Sequence, residues 1–287
     1  MKPIRLFAFA VLAAVLLSAC GTTQTVPLTG RKHTLRVTDQ QVLSLSSQEY
    51  TKYMSTAKKS TNTTNTAMVQ RVGKKLATAV ENYLRNNGYA SEIGNFSWEF
   101  SLVQDKSVNA FCMPGGKIVV YEGLLPYTQN ETGLAIVLGH EIAHAVAKHS
   151  AEQISKQMNQ QTGTQILGSV LNQAVGDGVG DLASAVAGQY FSFRNLKYSR
   201  DNEYEADYMG IVFAAMAGYD PQQAIPFWQR MSSGGSQNDF FSDHPSDSKR
   251  IAALQQHMPK ALQYYKSAGT ANTAKTTKTA KSFRIGN

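Results

Sequence analysis

His140-Glu141-Ile142-Ala143-His144 sets two imidazoles four residues apart with a carboxylate between them. Residues four apart on a helix lie one above the other on the same face, so both rings can reach one metal ion, and zinc takes imidazole nitrogen at ~2.0–2.1 Å. Glu141 is rotated by about 100° from His140. It would therefore stand beside such a metal and outside the line of ligands, where it can take a proton from a water whose pKa zinc lowers to ~7. Two histidines on one helical face with a glutamate between them are not cheaply explained as core. Leu138, Ile142 and Val146 continue a buried stripe around them, and the chemistry they suggest is metal-assisted hydrolysis.

A catalytic zinc site keeps three protein ligands and one open position, so a third ligand is needed. Cys112, the remaining histidines and the acidic stretch NEYEAD, residues 202–207, are the candidates. Within that stretch Glu203 and Asp207 are four apart and share a helical face, whereas Glu205 points about 200° away from Glu203. The pair makes sense if Glu203 ligates zinc and Asp207 accepts a hydrogen bond from a ligating imidazole, fixing its tautomer. Glu205 has no role beyond exposure. His149, half a turn off the face of His140, reads as a non-ligand, and His244 could simply cap the helix that follows it.

GHEIAH together with SRDNEYEAD resembles the zinc metallopeptidases that include the yeast CaaX prenyl endopeptidase and the bacterial heat-shock protease HtpX, all gluzincins. VPLTGRK (26–32), NAFCMPGGKIVVYEGLL (109–125) and DHPSDSKRI (243–251) are similar to the soluble, lipoprotein branch of that family. The resemblance implies one Zn²⁺ per chain, held by His140, His144 and Glu203, with Glu141 as general base and Asp207 as partner acid. It also implies that His244 either stabilises the developing oxyanion or occupies the open position at rest. Arg250 is expected to pair with an acid near the site or to join the substrate-binding set. In that set the family places an edge strand, 117–121, whose backbone pairs with an extended substrate, so Asn109, Gly116, Ile118 and Val119 are its expected members. The activity implied is a zinc-dependent endopeptidase of the bacterial cell envelope that cleaves unfolded or mis-assembled proteins. The alternative is a chaperone or assembly factor for outer-membrane proteins that uses the same cleft for binding. Polypeptides are the expected partners, with the outer-membrane assembly machinery as a further one.

Holding these residues in place falls to a small set of elements. Helical patterns cover about 44–58 and 65–87, the second with Val69, Val72, Leu76, Val80 and Leu84 on one stripe. Residues 96–103 alternate Phe96, Trp98, Phe100 and Leu102 with polar residues and read as a half-buried strand. A turn at NAFCMPGG leads to a second strand over 117–124. Asn130 caps a helix that carries the HExxH motif through Val146. The acidic stretch lies on a helix over about 199–217, another begins at Asp220-Pro221, and the last starts at His244-Pro245 and ends near Met258. Between them, 150–199 is rich in Gln, Ala, Gly and Ser, suited to a lid, a partner-binding hairpin or plain packing helices. Strands are bunched rather than alternating with helices, so the class is α+β: a mainly helical zincin-type domain with a small β-sheet beside the HExxH helix.

The chain ends carry separate signals. Lys2 and Arg5 precede an apolar run from Leu6 to Leu17, too short to span a bilayer, and Leu17-Ser18-Ala19-Cys20 resembles a lipoprotein cleavage box. The expected organisation is a signal peptide over 1–19, lipidation at Cys20, a linker over 20–40, a metallopeptidase domain over 41–260 and a basic low-complexity tail over 261–287. The corresponding place is the outer membrane, facing the periplasm, with membrane contact through the lipid. Cys112 is then the one remaining thiol, so no internal disulfide forms. The net charge of +8 is carried by 248–287, which holds eight cations and no acid. The basic balance therefore describes a tail and not a nucleic-acid groove, and no nucleic-acid partner is expected.

Overall fold

A computed structural model describes residues 21–158, 192–233, 244 and 248–282. The α+β expectation holds: two small sheets lie among long helices. The expected signal peptide, the expected lipidation site Cys20 and most of 150–199 lie outside the described residues.

The stretch expected to be a linker is structured. Strands β1 (Thr22–Thr25) and β2 (Lys32–Leu35) form an antiparallel hairpin, with Thr22 opposite Leu35 and Thr25 opposite Lys32. Its polar composition concealed a few apolar anchors: Val26, Leu35 and Val37 are buried, and β2 alternates exposed and buried positions as a half-buried strand does. Helix α1 (Asp39–Thr56) follows at once, opened by a capping box between Thr38 and Gln41.

Helix α2 (Thr63–Asn86) buries the predicted stripe, with Val69, Val72, Leu76, Val80 and Leu84 fully inaccessible. It packs on the second sheet and on the HExxH helix. That sheet has the order β3 (Glu99–Val103), β5 (Lys117–Tyr121), β4 (Ala110–Met113). β5 pairs in parallel with β3 and antiparallel with β4, Phe111 facing Val119 and Cys112 facing Ile118. AFCM is thus a strand and not part of a turn, and 117–121 is the central strand, not an edge. Both of its ladders are taken within the sheet.

The HExxH helix is α3 (Glu131–Val146). Asn130 accepts from the Gly133 amide at 3.0 Å, and Glu131 complements the positive end of the helix. From Gly133 to Val146 every residue but Ala145 is buried. The chain then turns at 147–148, where Lys148 has φ +54° and its Nζ bonds Asp39 and Glu92 at 2.8 Å each. A new helix, α4, starts at residue 149 and is described through 158.

Helix α5 (Arg200–Met216) carries the acids and packs along α3. Two glycines permit the approach. A Cβ on Gly139 would stand 2.6 Å from the Gly210 carbonyl oxygen, and a Cβ on Gly210 would stand 2.8 Å from the His140 amide nitrogen. Glycine at both positions therefore brings the two backbones together where the functional side chains must meet. Pro221–Gln223 forms one 3-10 turn and α6 (Ala224–Ser233) follows.

Helix α7 (Ser248–Ser282) packs against α5 and α6. It is described from Ser248 and does not stop near Met258; it passes through Pro259 and takes in most of the residues expected as a basic low-complexity tail. Alanine, lysine and glutamine are strong helix formers, and buried Leu254 and Ala261 anchor its first half. No helix among the described residues is long and apolar enough to cross a membrane.

Candidate metal centre

His140 and His144 occupy the last two turns of α3, Glu203 the first turn of α5, and His244 lies just ahead of α7. Their donor atoms converge. His140 Nε2 lies 3.0 Å from His144 Nε2, 3.2 Å from His244 Nδ1 and 3.4 Å from Glu203 Oε2. Glu203 Oε1 is 3.1 Å from His244 Nδ1 and 3.5 Å from His144 Nε2. All four side chains are buried.

Four atoms held tetrahedrally at ~2.0–2.1 Å from one zinc ion lie about 3.3–3.4 Å from each other, so the observed spacings fit such a site. The hydrogen bonds behind the donors agree. Asp207 Oδ1 stands 3.0 Å from His140 Nδ1, which must donate to that carboxylate, leaving the Nε2 lone pair facing His144 Nε2. Two imidazole nitrogens and a carboxylate so close together in a dry site need a cation or a proton between them. Nitrogen and oxygen donors in this geometry are what zinc selects. Cys112 plays no part: it is buried in the sheet, its thiol bonds the Met113 carbonyl, and burial together with Glu141 pushes its pKa well up.

The electrostatics follow from burial set against close partners. Burial alone would raise the Glu203 carboxyl, but His244 and His140 outweigh it and hold that carboxyl well below the usual range. Burial likewise opposes ionisation of Asp207, and Arg250 overcomes it. His140 is lowered by burial and raised by more through Asp207 and Glu203. His144, with burial and the charge of His140 acting together, is pushed well down, toward the neutral form a metal ligand requires.

Glu141, on α3 beside His140, is almost inaccessible, and its Oε1 lies 3.5 Å from His244 Nε2. It thus stands next to the donor cluster without belonging to it. Arg250, on α7, grips Asp207 with two bonds of 2.7 Å and lies over the Trp228 ring at 4.2 Å. Expected as a substrate contact or an acid's partner, it is the acid's partner, fully buried and turned away from solvent.

The substrate-binding expectations fare differently. Ile118 and Val119 are inaccessible in the central strand, and Gly116 turns the chain between β4 and β5. Asn109 accepts from the Ala110 amide at 2.8 Å and is likewise buried. Among the described residues no strand pairs with the outer edge of β4, and β4 packs against α3. Among the described residues Ala110–Met113 is thus the edge strand beside the HExxH helix, with Phe193–Asn195 packed against it.

Three further parts escaped the sequence reading. Glu205 is buried, not exposed: it accepts from Thr29 Oγ1 at 2.6 Å, Arg31 Nε at 2.8 Å and His149 Nε2 at 2.9 Å. Burial opposes its ionisation, but these bonds hold its pKa near about 2. His149, read from its spacing as a non-ligand, is not among the converging donors, and its Nδ1 lies 2.9 Å from His144 Nδ1. Tyr198 stacks on the His144 ring with centroids 4.0 Å apart and exchanges a 3.0 Å bond with Ser150. The one available signal for Glu205 was the TGRK stretch, whose Arg31 had no stated partner.

Comparison with known proteins adds the following. The model for peptidase family M48 matches residues 63–258. The chain is 37% identical over 183 residues to the mitochondrial metalloendopeptidase OMA1 of Schizosaccharomyces pombe, covering 60% of this chain and 50% of that protein. It is 30% identical over 246 residues to the mitochondrial metalloendopeptidase OMA1 of Homo sapiens, covering 83% and 46%. Identity to the beta-barrel assembly-enhancing protease of Yersinia pestis is 34% over 137 residues, covering 47% and 28%. The chain thus spans about half the length, or less, of the curated relatives it matches. Several of these relatives are mitochondrial proteins, which overturns the expectation of an outer-membrane lipoprotein facing the periplasm.

Proposed function

Because the chain belongs to peptidase family M48, we propose that it is a zinc-dependent endopeptidase whose metal is held by His140, His144 and Glu203. The convergence of these three donors, with Glu141 next to them, is the observation that supports this reading. A bound zinc ion would act as a Lewis acid on a peptide carbonyl and make water nucleophilic near neutral pH. Glu141 would take the proton from the attacking water and deliver it to the leaving amine. Asp207, clamped by Arg250, fixes His140 with its Nε2 toward the metal. The outer edge of β4 would hold an extended polypeptide by main-chain hydrogen bonds, which favours unfolded segments of loose sequence over folded proteins. With a base already in place, a purely binding, chaperone-like use of the cleft is the weaker account. The peptidase unit is taken to run over 41–260 with the hairpin before it.

Of the two roles open to His244, the resting ligand is favoured, because Nδ1 already lies within 3.1–3.3 Å of both Glu203 oxygens and of His140 Nε2. It would then have to move aside for substrate.

One comparison tests both assignments: zinc content and cleavage of an unfolded protein by wild type, Glu141→Gln and His244→Ala. Glu141→Gln should keep one zinc per chain and lose about 10²- to 10⁴-fold in rate. Equal cleavage by this variant and wild type would sink the peptidase reading. His244→Ala should raise basal turnover; a fall would move His244 to oxyanion stabilisation.

A further inference from the structure

A hydrogen-bonded chain leaves the donor cluster through His144 and ends in the N-terminal hairpin. His144 Nδ1 meets His149 Nδ1 at 2.9 Å, and His149 Nε2 meets Glu205 Oε2 at 2.9 Å. Thr29 donates to one Glu205 oxygen at 2.6 Å, and Arg31 grips the other with Nε at 2.8 Å and Nη2 at 2.7 Å. The Arg31 Nη2 also reaches Glu152 at 2.8 Å. Thr29 and Arg31 lie in the loop joining β1 and β2.

Proton positions along this chain are determined once His144 offers Nε2 to a metal. Its Nδ1 must then carry the hydrogen and donate to His149 Nδ1, which therefore has none. The hydrogen of His149 sits on Nε2 and is donated to the Glu205 carboxylate. One carboxylate thus sets the tautomers of two imidazoles in sequence, and Arg31 with Thr29 keeps that carboxylate ionised and oriented. His149 is inaccessible and the Glu205 side chain 7% exposed, so the route is shielded from water as far as Arg31, whose side chain is 33% exposed.

We infer that the Thr29–Arg31 loop is a working part of the metal centre: through Glu205 and His149 it orients His144, and so sets how tightly the metal is held. This rests on the metal-centre reading above. Thr29, Arg31, Glu205 and His149 are positioning residues, since they act on the metal through His144.

The test is zinc affinity of the full-length chain by competition with a chelator, alongside far-UV circular dichroism of the metal-free proteins. His149→Leu should weaken binding about 10- to 100-fold, as for loss of an outer partner of a zinc-bound imidazole. His149→Gln, whose planar amide offers an acceptor and a donor, should recover most of that. Arg31→Ala should cost less, roughly 3- to 10-fold at the lower end of the same effect. The double variant Arg31→Ala/His149→Leu should bind no more weakly than His149→Leu alone, because the route is already cut. Wild-type affinity in His149→Leu, or losses that simply add in the double variant, would overturn the inference. If His149→Leu does not fold, Arg31→Ala carries the test in the Co²⁺-loaded protein: the visible absorption should shift, and an unchanged spectrum with unchanged affinity overturns it. His144→Ala separates the two levels. If it too binds zinc like wild type, the metal-centre reading fails; if it alone loses zinc, only the role of the loop fails.

Discussion

The two imidazoles of the HExxH motif are held in different ways. His140 is backed directly by a carboxylate, Asp207, and that carboxylate is locked by Arg250 from α7, all inaccessible to solvent. His144 is backed by a second imidazole, then by Glu205, then by Arg31, whose side chain is 33% exposed. One support is short and dry and draws on the C-terminal helix; the other is longer, draws on the N-terminal hairpin and reaches the surface. Both use α5, whose alternate acids face three directions: Glu203 to the donor cluster, Asp207 to α7 and Glu205 to the hairpin. From Asn202 to Asp207 every residue but Tyr204 is buried.

Asp207→Asn should do the most damage to this contrast. It removes the charge that Arg250 was buried against, a loss of about 3–5 kcal/mol for a broken buried pair, and lowers zinc affinity about 10- to 100-fold. Glu205→Gln should cost less of both, since an imidazole intervenes and water can reach Arg31. Equal losses, read by chelator competition and chemical denaturation, would show that the two supports are equivalent after all. Gly210→Ala addresses what the sides share. Its Cβ would press on the His140 backbone at 2.8 Å, so the helices must part, at about 1–3 kcal/mol. Unchanged stability would mean that the contact between α3 and α5 is looser than the geometry requires.

The smallest effect is on the hairpin side. Burial opposes ionisation of Glu152, but its bonds to His33, Arg31 and Lys156 win and depress its carboxyl well below the usual range. A carboxyl lowered in the folded state adds stability that is fully present above its ordinary pKa of 4.5 and is lost as pH falls below that. Glu152→Gln should therefore flatten the acid limb of the stability curve and leave the neutral region slightly lower. A limb as steep as that of wild type would remove Glu152 from the hairpin's support.

Much of this was legible where the physics is local. Four-residue spacing alone grouped His140 with His144 and Glu203 with Asp207, and one apolar stripe predicted α2. What failed depended on distant partners. Counting 100° per residue from His140 puts His149 half a turn away, yet the turn at Lys148 resets the helix and returns His149 to the side of His144. Glu205 was given to solvent because sequence cannot show that a hairpin 174 residues earlier covers that face. Ile118 and Val119 were placed on an edge because strand order follows from pairing and not from composition. The tail's composition marked it only as basic and low in complexity, yet α7 runs on through it to Ser282.

The bonds in and around the donor cluster join residues far apart along the chain: Thr29 to Glu205 over 176 positions, His140 to His244 over 104, His140 to Asp207 over 67. In the unfolded chain a zinc ion would find donors only around His140–His149, since Glu203 and His244 each require a long loop to close first. Assembly of the centre is therefore a late event of folding, after α3 and α5 have met and the hairpin has docked. Metal added from the start of refolding should leave the folding rate nearly unchanged and slow unfolding instead.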